Sequence, residues 1–126
     1  MPVRERGRAA ALWLPPIALM AVIFGLSAMS SDDVDRGVLY VIGRKAAHFS
    51  EYALLTALWW RALRTRTADS AALLGAVAIA VGYAITDEIH QTFVDGRTGT
   101  PVDVLIDTAG AATAAVLIHR RRRVAA

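Results

Sequence analysis

Apolar residues gather into four runs, 9–29, 46–63, 71–93 and 102–118, separated by shorter stretches carrying most of the charge. Each run is roughly 20 residues long, enough at 1.5 Å per residue to cross about 30 Å of hydrocarbon. None alternates with a period of two. Lipid admits only helices and closed barrels as spanning structures, so the pattern predicts four transmembrane helices. The expected fold is an all-α, four-helix membrane bundle built from residues 1–126 as a single domain, without linker or repeat. The first run follows several arginines, as a secretion signal would. Its apolar stretch is longer than the 7–15 residues of a signal core, so it reads as an anchor. Pro15 and Pro16 each remove a backbone donor, which predicts a kink or a short irregular start to this helix.

Composition agrees with the pattern: 56% of the 126 residues are hydrophobic and there is no cysteine, which excludes disulfides and thiolate metal sites. The mean hydropathy is positive, while the isoelectric point is near 10.0. A basic chain invites a nucleic-acid reading, but the placement of the charges argues against it. If the N-terminus, the 61–70 connection and the C-terminus share one side, that side holds ten bases against Glu5 and Asp69. The other side holds Arg36, Arg44, Lys45 and Arg97 against nine acids. Lys and Arg are retained on the cytoplasmic side, which predicts both termini inside and the 31–44 and 94–101 connections outside. The 120–123 arginine run then anchors topology beside anionic lipid, and no nucleic-acid partner is expected. Trp13, Trp59 and Trp60 read as an interfacial belt on the cytoplasmic side.

In this orientation almost every polar residue within the runs falls near the outer end. A charge at the bilayer centre costs about 2.5–3.5 kcal/mol on insertion scales, so such residues need partners and commonly have uses. The second run opens with Lys45, His48, Glu51 and Tyr52, of which 45, 48 and 52 share a helix face. The third closes with Tyr83, Asp87, His90 and Gln91 on one face, and Glu88 turned about 100° from Asp87. The fourth starts at Pro101, a favoured first-turn residue, and stacks Asp103 and Asp107 one turn apart. Asp95-Gly96 marks a tight outer turn, where Arg97 is placed to fork onto a carboxylate or a phosphate. Each feature also has a plainer reading. Lys45 can snorkel, Asp103 can complement a helix dipole, and the 87–91 group can fray into the outer loop. Gly75, Gly82 and Gly110 read as close helix packing, with Ala71, Gly75 and Ile79 beginning one such face.

Taken in order, the chain resembles the VanZ-like family of small integral membrane proteins from about residue 12 to 116. The first run shares Pro15, Phe24, Ser27 and Ser30 with that pattern. The second matches through Lys45, His48, Phe49, Glu51 and Tyr52, and the third through Asp87-Glu88-Ile89-His90-Gln91. Gly96-Arg97, Asp103, Asp107 and Gly110 complete the match. The resemblance implies four helices in a bacterial cell membrane. Through the family's namesake it also implies an association with low-level resistance to the glycopeptide antibiotic teicoplanin. It supplies no reaction.

Three functions compete. The first is a membrane enzyme or binding site for a cell-envelope lipid, lipid-linked glycan or glycopeptide at the outer leaflet. There His48, Glu51, Asp87, Glu88, His90 and Asp103 are the candidate catalytic groups. Lys45, Tyr52, Gln91, Arg97 and Asp107 are the candidate substrate contacts. Histidines with carboxylates can also hold a divalent metal, although no metal motif such as His-Glu-x-x-His is present. The second function is a non-catalytic protein whose polar cluster only fixes helix packing. The third, an ion path, lacks ionisable relays in the inner halves of the spans.

Overall fold

The computed structural model describes residues 2–28, 37–93 and 101–125. It contains four helices: α1 (Val3–Ala28), α2 (Gly37–Leu63), α3 (Asp69–Gln91) and α4 (Pro101–Ala125). At 1.5 Å per residue each runs roughly 34–40 Å, longer than the hydrocarbon it would cross. α1, α3 and α4 are both long enough and apolar enough to span a membrane. α2 is as long, but Arg44, Lys45 and Glu51 interrupt it.

The helices outrun the apolar stretches at three places. α1 begins among the N-terminal arginines and α4 continues through residues 120–123, because arginine is a good helix former and needs no apolar neighbour. α2 begins at Gly37, so residues 37–44 are helical rather than part of the expected outer loop. Val38, Leu39 and Ile42 there are exposed apolar residues that extend a lipid-compatible surface outward. Lys45 consequently lies about 12 Å of helix rise inside the end of α2. Gly37 itself has a φ of 81°, a left-handed value that suits glycine.

α1 passes through Pro15 and Pro16 without a break, so the irregular start does not occur. Proline at 15 deprives the Ala11 carbonyl of its helical donor four residues on. Arg61 at the end of α2 supplies a replacement: its Nη2 donates to the Ala11 oxygen at 2.7 Å.

Cross-helix contacts fix an up-down-up-down arrangement. Arg61 meets Ala11, and Arg122 pairs with Asp69, so both ends of the chain lie beside the α2–α3 connection. α1 and α3 run parallel, as do α2 and α4, and α2 packs against all three others. Alanines at 72, 76, 80 and 84 form the buried stripe of α3, one position on from the expected 71-75-79 face. Alanine every fourth residue lets the neighbours come close, whereas a side chain at Gly75 would meet only Leu63 and one at Gly82 would meet nothing. Gly110 is the close approach: a Cβ there would run into the Phe49 carbonyl oxygen, so the α2 and α4 backbones touch.

The bundle buries polar residues among apolar ones such as Ile23, Tyr52 and Leu55, and turns many large apolar residues outward. Ser27, Thr56, Asp87, Glu88, Gln91 and Asp107 are buried, while Phe24, Leu54, Ile89 and Leu117 are among the exposed apolar residues. Exposed large apolar residues in such number are unusual for a water-soluble domain. Trp13 and Trp59 stack edge-on at the arginine-rich end, where Arg64 lies 4.4 Å from the Trp60 ring centroid.

Candidate functional site

Parallel packing of α2 and α4 aligns two i,i+3 and i,i+4 ladders. Lys45 Nζ lies 2.9 Å from Asp103 Oδ1, and one turn deeper His48 Nδ1 lies 3.1 Å from Asp107 Oδ1. The second pair is the drier, with the Asp107 side chain 2% exposed and His48 14%, against 40% for Lys45. Phe49 and Gly110 follow immediately, so the backbone contact clamps the seam beside the ion pairs.

A second polar group joins α1 to α3. Ser27 Oγ donates to Asp87 Oδ2 at 2.8 Å, and Gln91 Nε2 donates to the same oxygen at 3.2 Å. One turn from Asp87 toward the helix start, the Tyr83 hydroxyl donates to the Met20 carbonyl. His90 stacks on Phe24 with ring centroids 4.4 Å apart.

Tyr52 and Glu51 stand between the two groups. Tyr52 is fully buried, its ring centroid is 6.5 Å from that of Tyr83, and Asp87, Asp107 and Glu51 lie within electrostatic range of it. Glu51 lies within range of His48, Asp107 and Asp87. Several buried polar atoms here have no hydrogen-bond partner among the described residues, notably Tyr52 Oη, Asp87 Oδ1 and Gln91 Oε1. Buried polar atoms are ordinarily satisfied, so these three stand out inside the bundle.

The structure thus brings together Lys45, His48, Asp103 and Asp107, with Glu51 and Tyr52 beside them and Asp87 and Gln91 beyond. It sets His90 apart, against α1, and turns Glu88 toward α4, where it borders a groove with Pro101 and Val104. Arg97 and the turn expected at Asp95-Gly96 lie outside the described residues. Among the described residues no three His, Asp or Glu side chains come close enough to share a metal ion. Ser27 is the partner the sequence reading did not assign to the site. Its spacing of four from Ile23, with both buried, marks the inward face of α1.

Compared with known families, residues 11–122 match the VanZ/LLP1 pattern, which covers most of the chain. The chain belongs to the VanZ/LLP1 family. No curated protein and no solved structure matches it.

Proposed function

We propose that this VanZ/LLP1 protein crosses a bacterial cell membrane four times with both termini in the cytoplasm. Its polar cluster at the outer-leaflet end of α2–α4 then binds, and acts on, a cell-envelope lipid, a lipid-linked glycan or a glycopeptide. The observation that carries the reading is the pairing of Lys45 and His48 with Asp103 and Asp107 inside a bundle whose outer surface is apolar. Residues of this kind are expensive in lipid, and here they adjoin polar atoms left without partners.

The geometry suggests roles. With Nδ1 facing the Asp107 carboxylate, His48 is held in the tautomer that carries the proton on Nδ1, and Nε2 becomes the nitrogen that accepts and returns a substrate proton. Lys45 exchanges Asp103 for a substrate phosphate, with Arg97 as a second candidate phosphate contact. Glu51 takes part in no ion pair or hydrogen bond among the described residues, so it is the base with the fewest structural duties. Tyr52, Asp87 and Gln91 orient the polar part of the substrate. His90, Glu88 and Asp103 complete the candidate set at its margins.

A structural role is the second reading, favoured by the fact that Lys45 and His48 already find partners within the protein. Two experiments bear on the choice and on the topology. Expressed in a glycopeptide-sensitive bacterium, the chain is expected to raise the teicoplanin concentration needed to stop growth, and His48→Gln is expected to lose that effect at equal membrane abundance. A phenotype lost only in step with the folded protein would favour the structural role, and an unchanged phenotype would remove His48 from the working site. The sequence has no cysteine, so single cysteines report topology cleanly. An impermeant thiol reagent should label positions 33 and 98 in intact cells and position 67 only after lysis. Labelling of position 67 in intact cells would reverse the orientation.

A further inference from the structure

On the opposite half of the α2–α4 seam from the ion pairs, the two helices separate into a cleft of 680 Å³ that opens on the apolar flank of the bundle. α2 contributes Phe49, Ala53 and Ala57 at four-residue steps, and α4 contributes Ala114, Leu117 and Ile118. The cause is local. Gly110 holds the backbones together at Phe49, while alanine at 53 and 57 provides too little side chain to fill the space below that contact. From Phe49 to Ala57 the cleft runs about 12 Å along the helix. Arg120 and Arg121 stand at its far end, on the exposed last turns of α4. Neither forms an ion pair among the described residues, whereas their neighbour Arg122 is committed to Asp69.

We propose that this cleft is a seat for one anionic phospholipid of the leaflet at the arginine-rich end, with an acyl chain between α2 and α4 and the headgroup phosphate on Arg120 and Arg121. The proposal rests only on the chain spanning a membrane, not on the activity assigned to the polar cluster. Two features select this occupant. An apolar slot facing hydrocarbon excludes a soluble ligand, and a doubly cationic mouth at headgroup depth favours a net negative lipid over a zwitterionic one. A filled cleft would also brace the seam next to Phe49, which directly follows His48, so the lipid would hold the α2–α4 spacing on which both ion pairs depend.

Native mass spectrometry of the full chain in nonionic detergent, titrated with phosphatidylglycerol or phosphatidylcholine, tests this. The chain should retain a single phosphatidylglycerol at concentrations where phosphatidylcholine is lost. The Arg120→Gln/Arg121→Gln variant should bind phosphatidylglycerol roughly tenfold more weakly, while Arg66→Gln/Arg123→Gln, which removes the same charge elsewhere at that end, should bind as the unaltered chain does. Ala53→Leu/Ala57→Leu, which fills the slot from its lipid-facing side, should abolish retention with all four arginines in place. Free inorganic phosphate should not compete, because the chain supplies the apolar part of the site. Equal retention of the two lipids, equal loss in both arginine variants, or undiminished binding in the leucine variant would each overturn the proposal.

Discussion

The two polar seams near the same end of the bundle solve one problem by different means. Between α2 and α4, Lys45 pairs with Asp103 and His48 with Asp107, next to a glycine that lets the backbones touch. Between α1 and α3 a single carboxylate collects neutral donors from Ser27 and Gln91, and a tyrosine hydroxyl reaches a backbone carbonyl. Removing His48 would strand the buried Asp107 carboxylate, and taking the partner from a buried charge costs about 3–5 kcal/mol. A hydrogen bond between membrane helices contributes far less, averaging roughly 0.6 kcal/mol. The α2–α4 seam is therefore the fixed side of the molecule, and the α1–α3 seam the more adjustable one.

The largest effect that would break this contrast is at Gly110. A Cβ there meets the Phe49 carbonyl, a backbone atom that cannot swing aside. Gly110→Ala should separate α2 from α4 and destabilise the protein by at least the upper end of the ~1–3 kcal/mol usual for overpacking, read as loss of folded protein on size-exclusion chromatography. Gly82→Ala, with open space at its Cβ, should be tolerated. A folded Gly110→Ala would mean that the seam is looser than the contact implies.

A comparison of single deletions sharpens it further. His48→Ala leaves Asp107 buried and unpaired, so its thermal midpoint should fall several times further than that of Ser27→Ala, which removes one of two donors to Asp87. Equal losses would place the two seams on one footing. Loss of Lys45 should fall below both, because that side chain is 40% exposed and its pair is partly screened by water.

Much of this was legible in the sequence, for definable reasons. Helix number followed from run length, and Tyr83, Asp87 and Gln91 turn inward as their spacing suggested, although His90, expected on the same face, stacks on Phe24, and the 71-75-79 packing face lies one position off. Periodicity gives the direction a residue points but not the helix it meets. Tyr83, Asp87 and Gln91 find partners on α1, through Met20 and Ser27, where the sequence suggested convergence with α2 and α4. The pairing of residues 45 and 48 with 103 and 107 required knowing that α2 and α4 are neighbours in register, which only packing decides. The extension of α2 back to Gly37 was hidden because Arg44 and Lys45 look like a membrane boundary when their partners are unknown. The cleft below Gly110 left no trace in the pattern, since alanines at 53 and 57 read equally well as close packing and as empty space.

Glu51 provides the most direct measurement of whether the cluster works on a substrate or merely holds the helices together. It sits among His48, Asp107 and Asp87, yet no hydrogen bond or ion pair among the described residues depends on it. Glu51→Gln keeps its shape and removes its ability to take or give a proton. In one set of membranes, its thermal midpoint and abundance should match those of the unaltered protein, while the teicoplanin phenotype of the cells should be lost. A Glu51→Gln protein that retains the phenotype, or loses it only in step with its folded fraction, would contradict a working site.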